Sequence, residues 1–193
     1  MSVPLRDLVE IHLGYSFRSS LEHDSDGTVG VIQMKDLGSD GLVDLDTLVR
    51  VTLDIRPGNE ALVDDIIVRS RGGRSTCAMV GRPPGPALVA APLLRLRVTG
   101  ERVLPAYLTW YINQPSVQAQ LARRAEGSNV KMVNKGSLQD LAVALPPLER
   151  QRRIAELAGL SARECTLTAG IDGLRARLRT DIMMSYAKGN EGR

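Results

Sequence analysis

The apolar positions of this 193-residue chain change their period along its length, and each change marks a change of element. Across the opening segment Val3 to Ile11, Leu5, Leu8 and Val9, with Leu13 a turn later, share one face of a predicted short helix that Gly14 ends. A loop through Tyr15, Ser16, Phe17 and Arg18 then leads to Val29-Gly-Val-Ile-Gln-Met, whose β-branched content predicts a strand. Gly38, Gly41, Pro57 and Gly58 punctuate residues 36 to 60, leaving room for short strands such as Leu48 to Leu53 joined by acidic turns. Ala61 to Ser70 predicts another strand, Arg71-Gly-Gly-Arg-Ser a hairpin-like turn, and Cys77 to Gly81 the return. Leu88 to Val98 reads as a buried strand that ends in an edge-like Leu-Arg-Leu-Arg-Val alternation.

From Pro105 the period is helical. Pro105 suits a first turn, and Tyr107, Leu108, Tyr111 and Ile112 fall on one face. A second helical segment starts at Pro115 and is expected to end near Gly127. Ser137-Leu-Gln-Asp resembles a capping signature for one short turn, and Leu141 to Leu145 is a final strand closed by Pro146 and Pro147. Beyond it, Leu157, Leu160, Glu164, Leu167, Ile171, Leu174 and Leu178 step alternately by three and four, a heptad seam with one glutamate in it. A helix from Pro147 to Tyr186 would run roughly 60 Å at 1.5 Å per residue, longer than a domain of this size can cover. The seam is therefore expected to pack on a helix outside its own domain, most simply a second copy in antiparallel fashion; the alternative is an amphipathic helix folded back on the core.

Composition narrows the class. The chain is 43% hydrophobic and 24% charged, as expected of one globular domain with an appendage. The longest apolar run, Ala87 to Leu94, falls far short of the ~20 residues needed to cross a bilayer, and the N-terminus lacks the pattern of a secretory signal. A cytoplasmic location is expected, with no membrane partner. Cys77 and Cys165 lie far apart and suit reduced thiols, and His12 and His23 supply no zinc-ligand spacing. The net charge of +3 conceals a segregation. Residues 1–68 carry 5 basic and 13 acidic side chains, residues 69–135 carry 11 and 2, and residues 136–193 carry 9 and 7. Of the 25 basic residues 21 are arginine, whose planar fork matches phosphate and the guanine edge. An anionic partner follows, nucleic acid first among them.

Catalytic constellations are missing. No G-x-x-x-x-G-K-[ST] loop and no G-x-G-x-x-G turn occurs, so neither a P-loop nucleotide site nor a dinucleotide site is expected. The acids at Asp36, Asp40, Asp44, Asp46, Asp54, Asp64 and Asp65 offer carboxylates for Mg²⁺ in a nuclease, but no lysine follows at short range, and they read as solvated turns. No catalytic or metal-ligating residue is assigned.

Donors for DNA cluster on turns instead. The first group is Arg69, Ser70, Arg71, Gly72, Gly73, Arg74 and Ser75, where two glycines let the backbone approach a phosphate. The second is Arg123, Arg124, Ser128, Asn129, Lys131, Asn134 and Lys135. Tyr15 and Arg18 form a weaker third, with Phe17 open to a core role. Each group has a plainer reading as a solvated loop. Aromatic residues make up 3% of the chain, too few for base stacking along a single strand, so duplex DNA is expected. The other classes are a coiled-coil protein adaptor, which leaves the basic middle segment without a purpose, and a small metal-dependent nuclease.

Val3-Pro-Leu-Arg-Asp-Leu-Val-Glu-Ile-His-Leu-Gly-Tyr-Ser-Phe-Arg, Asp65-Ile-Ile-Val-Arg-Ser-Arg-Gly-Gly, Gly127-Ser with Leu138 to Leu145, and above all Leu145-Pro-Pro-Leu-Glu-Arg-Gln-Arg-Arg-Ile resemble the specificity subunit of type I restriction-modification systems. That family usually carries two target recognition domains and two long helices, and this chain is similar to half of such a subunit. The resemblance implies an α/β (α+β) target recognition domain over residues 1–146 and a long coiled-coil α-helix over 147–188, with 189–193 a disordered tail. It implies reading of one half of a bipartite duplex site by a non-catalytic chain. The helix would serve for spacing, dimerisation and docking, through Leu157, Leu160, Leu167, Ile171, Leu174 and Leu178. The implied partners are double-stranded DNA, a modification (methyltransferase) subunit and a restriction (motor and nuclease) subunit. S-adenosylmethionine, ATP and Mg²⁺ are expected only in those partner subunits, with no cofactor in this chain.

Overall fold

The computed structural model describes residues 2–17, 21–72, 75–124, 132–187 and 189. Strand β1 (Ser2–Pro4) and a 3₁₀ turn (Leu5–Asp7) lead into β2 (Val9–Leu13). Then come β3 (Val29–Ile32), a second 3₁₀ turn (Met34–Asp36), β4 (Val49–Val51), β5 (Ile66–Arg69), β6 (Cys77–Met79), β7 (Ala87–Val89) and β8 (Leu93–Val98). The chain closes with α1 (Pro105–Ile112), α2 (Pro115–Arg124), α3 (Lys135–Gln139), β9 (Ala142–Ala144) and α4 (Leu148–Ala187).

The strands form three sheets: β1-β9, β2-β8-β5-β6, and β4-β3-β7 with β3 and β7 parallel. Period-two alternation assigns the faces of the four-stranded sheet. Val9, Ile11, Ile66, Val68, Leu94 and Leu96 join the core shared with α1, α2 and α3. Ile67, Ala78 and Leu93 point the other way and meet Ile32, Ala87 and Val89 of the three-stranded sheet. The domain is thus helices, sheet and second sheet in layers, and a third cluster packs Phe17, Leu21 and Val51 on the outside of β3 and β7.

Three expectations are corrected. The opening segment is not a helix: Val3 pairs with Val143, and Val9 and Ile11 alternate inward against exposed Glu10 and half-buried His12. The apolar spacing there fits both periods, and pairing with β9 and β8, far along the chain, selects the extended one; Leu13 is consequently 75% exposed. The stretch 88–98 is two strands in different sheets, separated by a turn with a cis Ala91–Pro92 bond. Its Leu-Arg-Leu-Arg-Val portion is no edge, because β8 lies between β2 and β5. Arg95 is 2% exposed and donates to the Glu60 carbonyl and, at 2.6 Å, to Gly58 O. Arg97 grips Asp65 with two bonds of 2.8 and 2.7 Å. That ion pair raises the Arg97 pKa through the Asp65 hydrogen bond, while burial lowers that of Arg95.

Boundaries shift as well. The ladder of β5 covers Ile66–Arg69 only, because residues 61–65 turn, with Asp64 at φ 68°. The short helix α3 starts one turn before the expected signature, capped by Asn134, whose Oδ1 accepts Ser137 N at 2.8 Å. The expected end of α2 at Gly127 falls outside the described residues, as do residues 190–193 of the tail.

Helix α4 is continuous over 40 residues. Its first turns are anchored by Gln151, wholly buried, which accepts Leu104 N at 2.9 Å and donates to Arg102 O and Pro146 O at 3.0 and 2.9 Å. Ile154 joins the domain core, and α1 packs along the same stretch of α4. Beyond it the six apolar seam residues are 50–68% exposed. Among the described residues no helix is long and apolar enough to cross a membrane.

Candidate nucleic-acid interface

The arginine-rich end of β5 is the meeting point of the candidate groups. Arg69 remains in the ladder, its N donating to Thr76 O at 2.9 Å, while its guanidinium Nη2 donates to Met34 O at 3.2 Å. Ser70 is 7% exposed, with its hydroxyl on the Pro92 carbonyl and its own carbonyl accepting Val133 N at 2.8 Å. Arg71, exposed, bridges to Met132, and Gly72 takes φ 113°, a conformation glycine adopts without strain. The turn is therefore pinned on both sides by backbone bonds. It presents Arg71 outward.

The flanks are built likewise. Tyr15 is 41% exposed, and its backbone is held by Val89 O at 2.7 Å and by Ala91 N at 2.8 Å. Phe17 lies edge-on to it at 4.8 Å and packs into the outer cluster, so its role is structural. Between them and Arg69 an open cleft of about 570 Å³ is lined by Ser16, Phe17, Gln33, Met34, Lys35 and Pro92. Lys35 is held at its rim by the buried Asp36 carboxylate at 2.6 Å and by Thr47 O at 3.2 Å. On the other flank Lys135 and Arg123 are exposed, and Arg124 donates to Asp140 O at 2.9 Å.

Several candidate side chains are occupied by the fold itself. Ser75 is 6% exposed, and the Gln118 amide spans its N and O at 3.0 and 3.1 Å. Asn113 does the same for Cys77 at 2.9 and 2.8 Å, so two helix amides close the free edge of β6. Asn134 caps α3 through its Oδ1, which fixes the side chain at the helix start. Arg18, Gly73, Arg74, Ser128, Asn129 and Lys131 lie outside the described residues. Residues 69–135 are less of a surface cation than their composition suggests. Arg95 is buried and Arg97 half-buried, both paired with Asp65 from the acidic third, and Arg82 bonds Asp46 at 2.5 Å.

The acids considered for a metal are spent on turns. The Asp46 backbone N–H and the Thr47 hydroxyl hold the Asp44 carboxyl below its ordinary range. Asp36 binds Lys35 and Gln33 N, and Asp65 binds Arg97. Among the described residues no group of three His, Cys, Asp or Glu could hold a metal ion. Cys77 and Cys165 are both free; burial pushes the Cys77 thiol up, and Cys165 is exposed.

A family model described as the type I restriction modification DNA specificity domain matches residues 1–157. The chain belongs to this family. Solved structures agree with that at the level of fold. A chain from a study of complex assembly and conformational transition of the type I R-M system superposes with a TM-score of 0.68 at 21% identity, over 96% of this chain and 45% of that one. The type I S subunit from M. genitalium gives 0.63 at 11% identity, over 99% and 46%. The HsdS subunit from Thermoanaerobacter tengcongensis gives 0.60 at 20%, over 87% and 38%. The specificity domain described here thus spans less than half the length of each of these relatives. A search of curated proteins finds no match.

Sequence reasoning missed three groups in this specificity domain. Gln33, Met34 and Lys35 reach the cleft through a 3₁₀ turn from an otherwise acidic segment, where local composition points elsewhere. Gln118 and Asn113 serve strand backbone 43 and 36 residues away, which no local pattern announces. Gln151 carried a signal that could have found it, a glutamine just after the paired prolines, three residues ahead of the inward Ile154.

Proposed function

We propose that this chain is a non-catalytic recognition module that reads one half of a bipartite duplex site for a type I restriction-modification complex. The observation that carries the reading is the pinned turn Arg69–Gly72, which gathers Arg71, the Met34–Lys35 cleft rim and the Met132 bridge on one end of a domain of this family. Rigid backbone with outward arginine is what groove reading requires, since a pre-ordered donor loses little entropy on binding. Methyl transfer from S-adenosylmethionine and ATP- and Mg²⁺-dependent work then belong to a modification subunit and a restriction subunit. The protruding helix supplies the dock for them. It also supports pairing with a second copy, because its leucine seam lies exposed among the described residues.

The test is selection of bound duplexes from a randomised pool by the chain together with its modification subunit, followed by sequencing. Enrichment of a motif supports the reading. A complex that retains DNA without any sequence preference contradicts it.

A further inference from the structure

We infer that the charges on α4 select one antiparallel register for pairing with a second copy, centred between Cys165 and Thr166; this rests on the seam pairing proposed above. The helix makes its own ion pairs at Glu149–Arg153 and Asp172–Arg175. Arg150, Glu156, Arg177 and Asp181 face solvent and make none among the described residues. In the heptad frame of the seam, Arg150 and Arg153 extend the core positions at one end and Asp181 at the other, while Glu156 and Arg177 flank it on one side.

In an antiparallel pair, the two kinds of core position face each other across the seam and one flank meets the same flank of the other helix. The register centred at 165/166 stacks Leu157 on Leu174 and Leu160 on Ile171 of the second copy, each twice by symmetry, and sets Arg153, already paired with Glu149, beside Leu178. It also brings Arg150 to Asp181 of the second copy and Glu156 to Arg177 of the second copy, so these charges form four ion pairs per dimer. Glu164 meets Leu167 of the second copy, alongside that copy's Arg163, and Gly170 leaves room for the guanidinium.

Other arrangements do worse. Sliding by one heptad in one direction sets Leu157 against Asp181 and Arg163 against Arg177; in the other direction it sets Arg150 against Leu174 and Arg163 against Arg163. Parallel pairing sets Arg150, Arg153, Glu164 and Asp181 each against its own kind. The preferred register places the two helix starts about 50 Å apart at 1.5 Å per residue, and hence the two recognition domains about one and a half turns of duplex apart.

The test is charge exchange in the full chain, read as the dimer Kd by sedimentation equilibrium, with circular dichroism to confirm unchanged helix content. Glu156→Arg alone and Arg177→Glu alone are expected to weaken self-association by about tenfold or more, since each converts two attractions into repulsions. Mixed one to one, the two variants restore complementary pairs and are expected to associate within about threefold of the wild type. A mixture no tighter than either variant alone overturns the register. A wild type that stays monomeric overturns the seam pairing itself, a separate result that leaves DNA reading by the domain to its own assay.

Discussion

The domain and the helix of this specificity chain treat their apolar and charged groups in opposite ways. In the domain, Leu5, Leu8, Leu96 and Leu108 are fully covered, and even the arginines of a central strand are closed on Asp65. In α4 the seam leucines lie open, and among the described residues Arg150, Glu156, Arg177 and Asp181 make no ion pair. The domain is complete as a folding unit. An isolated helix gains little from propensity and most from the packing of an apolar face, so the open seam is the surface that the proposed pairing would cover.

The strongest test of that contrast lies in the domain. Asp65→Ala would leave buried Arg95 and half-buried Arg97 without their carboxylate, and a loss of about 3 kcal/mol is expected, read as a fall in the denaturant midpoint. In the helix, Leu167→Ala should leave the domain's unfolding untouched while weakening self-association by about 2–4 kcal/mol per dimer; equal effects on both would erase the distinction. Gln151→Ala tests the joint between them. It removes the partner of Leu104 N and should cost about 1–3 kcal/mol, with faster amide exchange at residues 102–105 as its signature. Arg71→Ala is expected to cost about 1–3 kcal/mol of duplex affinity at one base position if it contacts a base, or less and uniformly with a shallower salt slope if it contacts phosphate. Unchanged binding would remove the turn from the interface.

The same contrast explains what could be read from the residues alone. The seam of α4 was legible because a heptad is a local, repeated signal that no distant strand can override. The end of β8 was not, since Leu-Arg-Leu-Arg reads as an edge until Asp65 and the carbonyls of Gly58 and Glu60 are placed over the arginines. The opening helix failed similarly, because Val3 finds its partner at Val143. At the site, Arg71 and Gly72 were visible as a basic glycine turn. Ser70, Ser75 and Asn134 looked like donors for DNA, yet the Pro92 carbonyl takes the Ser70 hydroxyl, the Gln118 side-chain amide holds the Ser75 backbone, and Asn134 Oδ1 caps the first turn of α3. Small polar residues on turns serve the backbone first.

The measurement that bears most directly on the central claim is a footprint of the wild-type chain, with its modification subunit, on the duplex it enriches. Two protected patches of inverted sequence, separated by about one and a half helical turns, are the predicted result. A single contiguous patch of one half-site per dimer would contradict it.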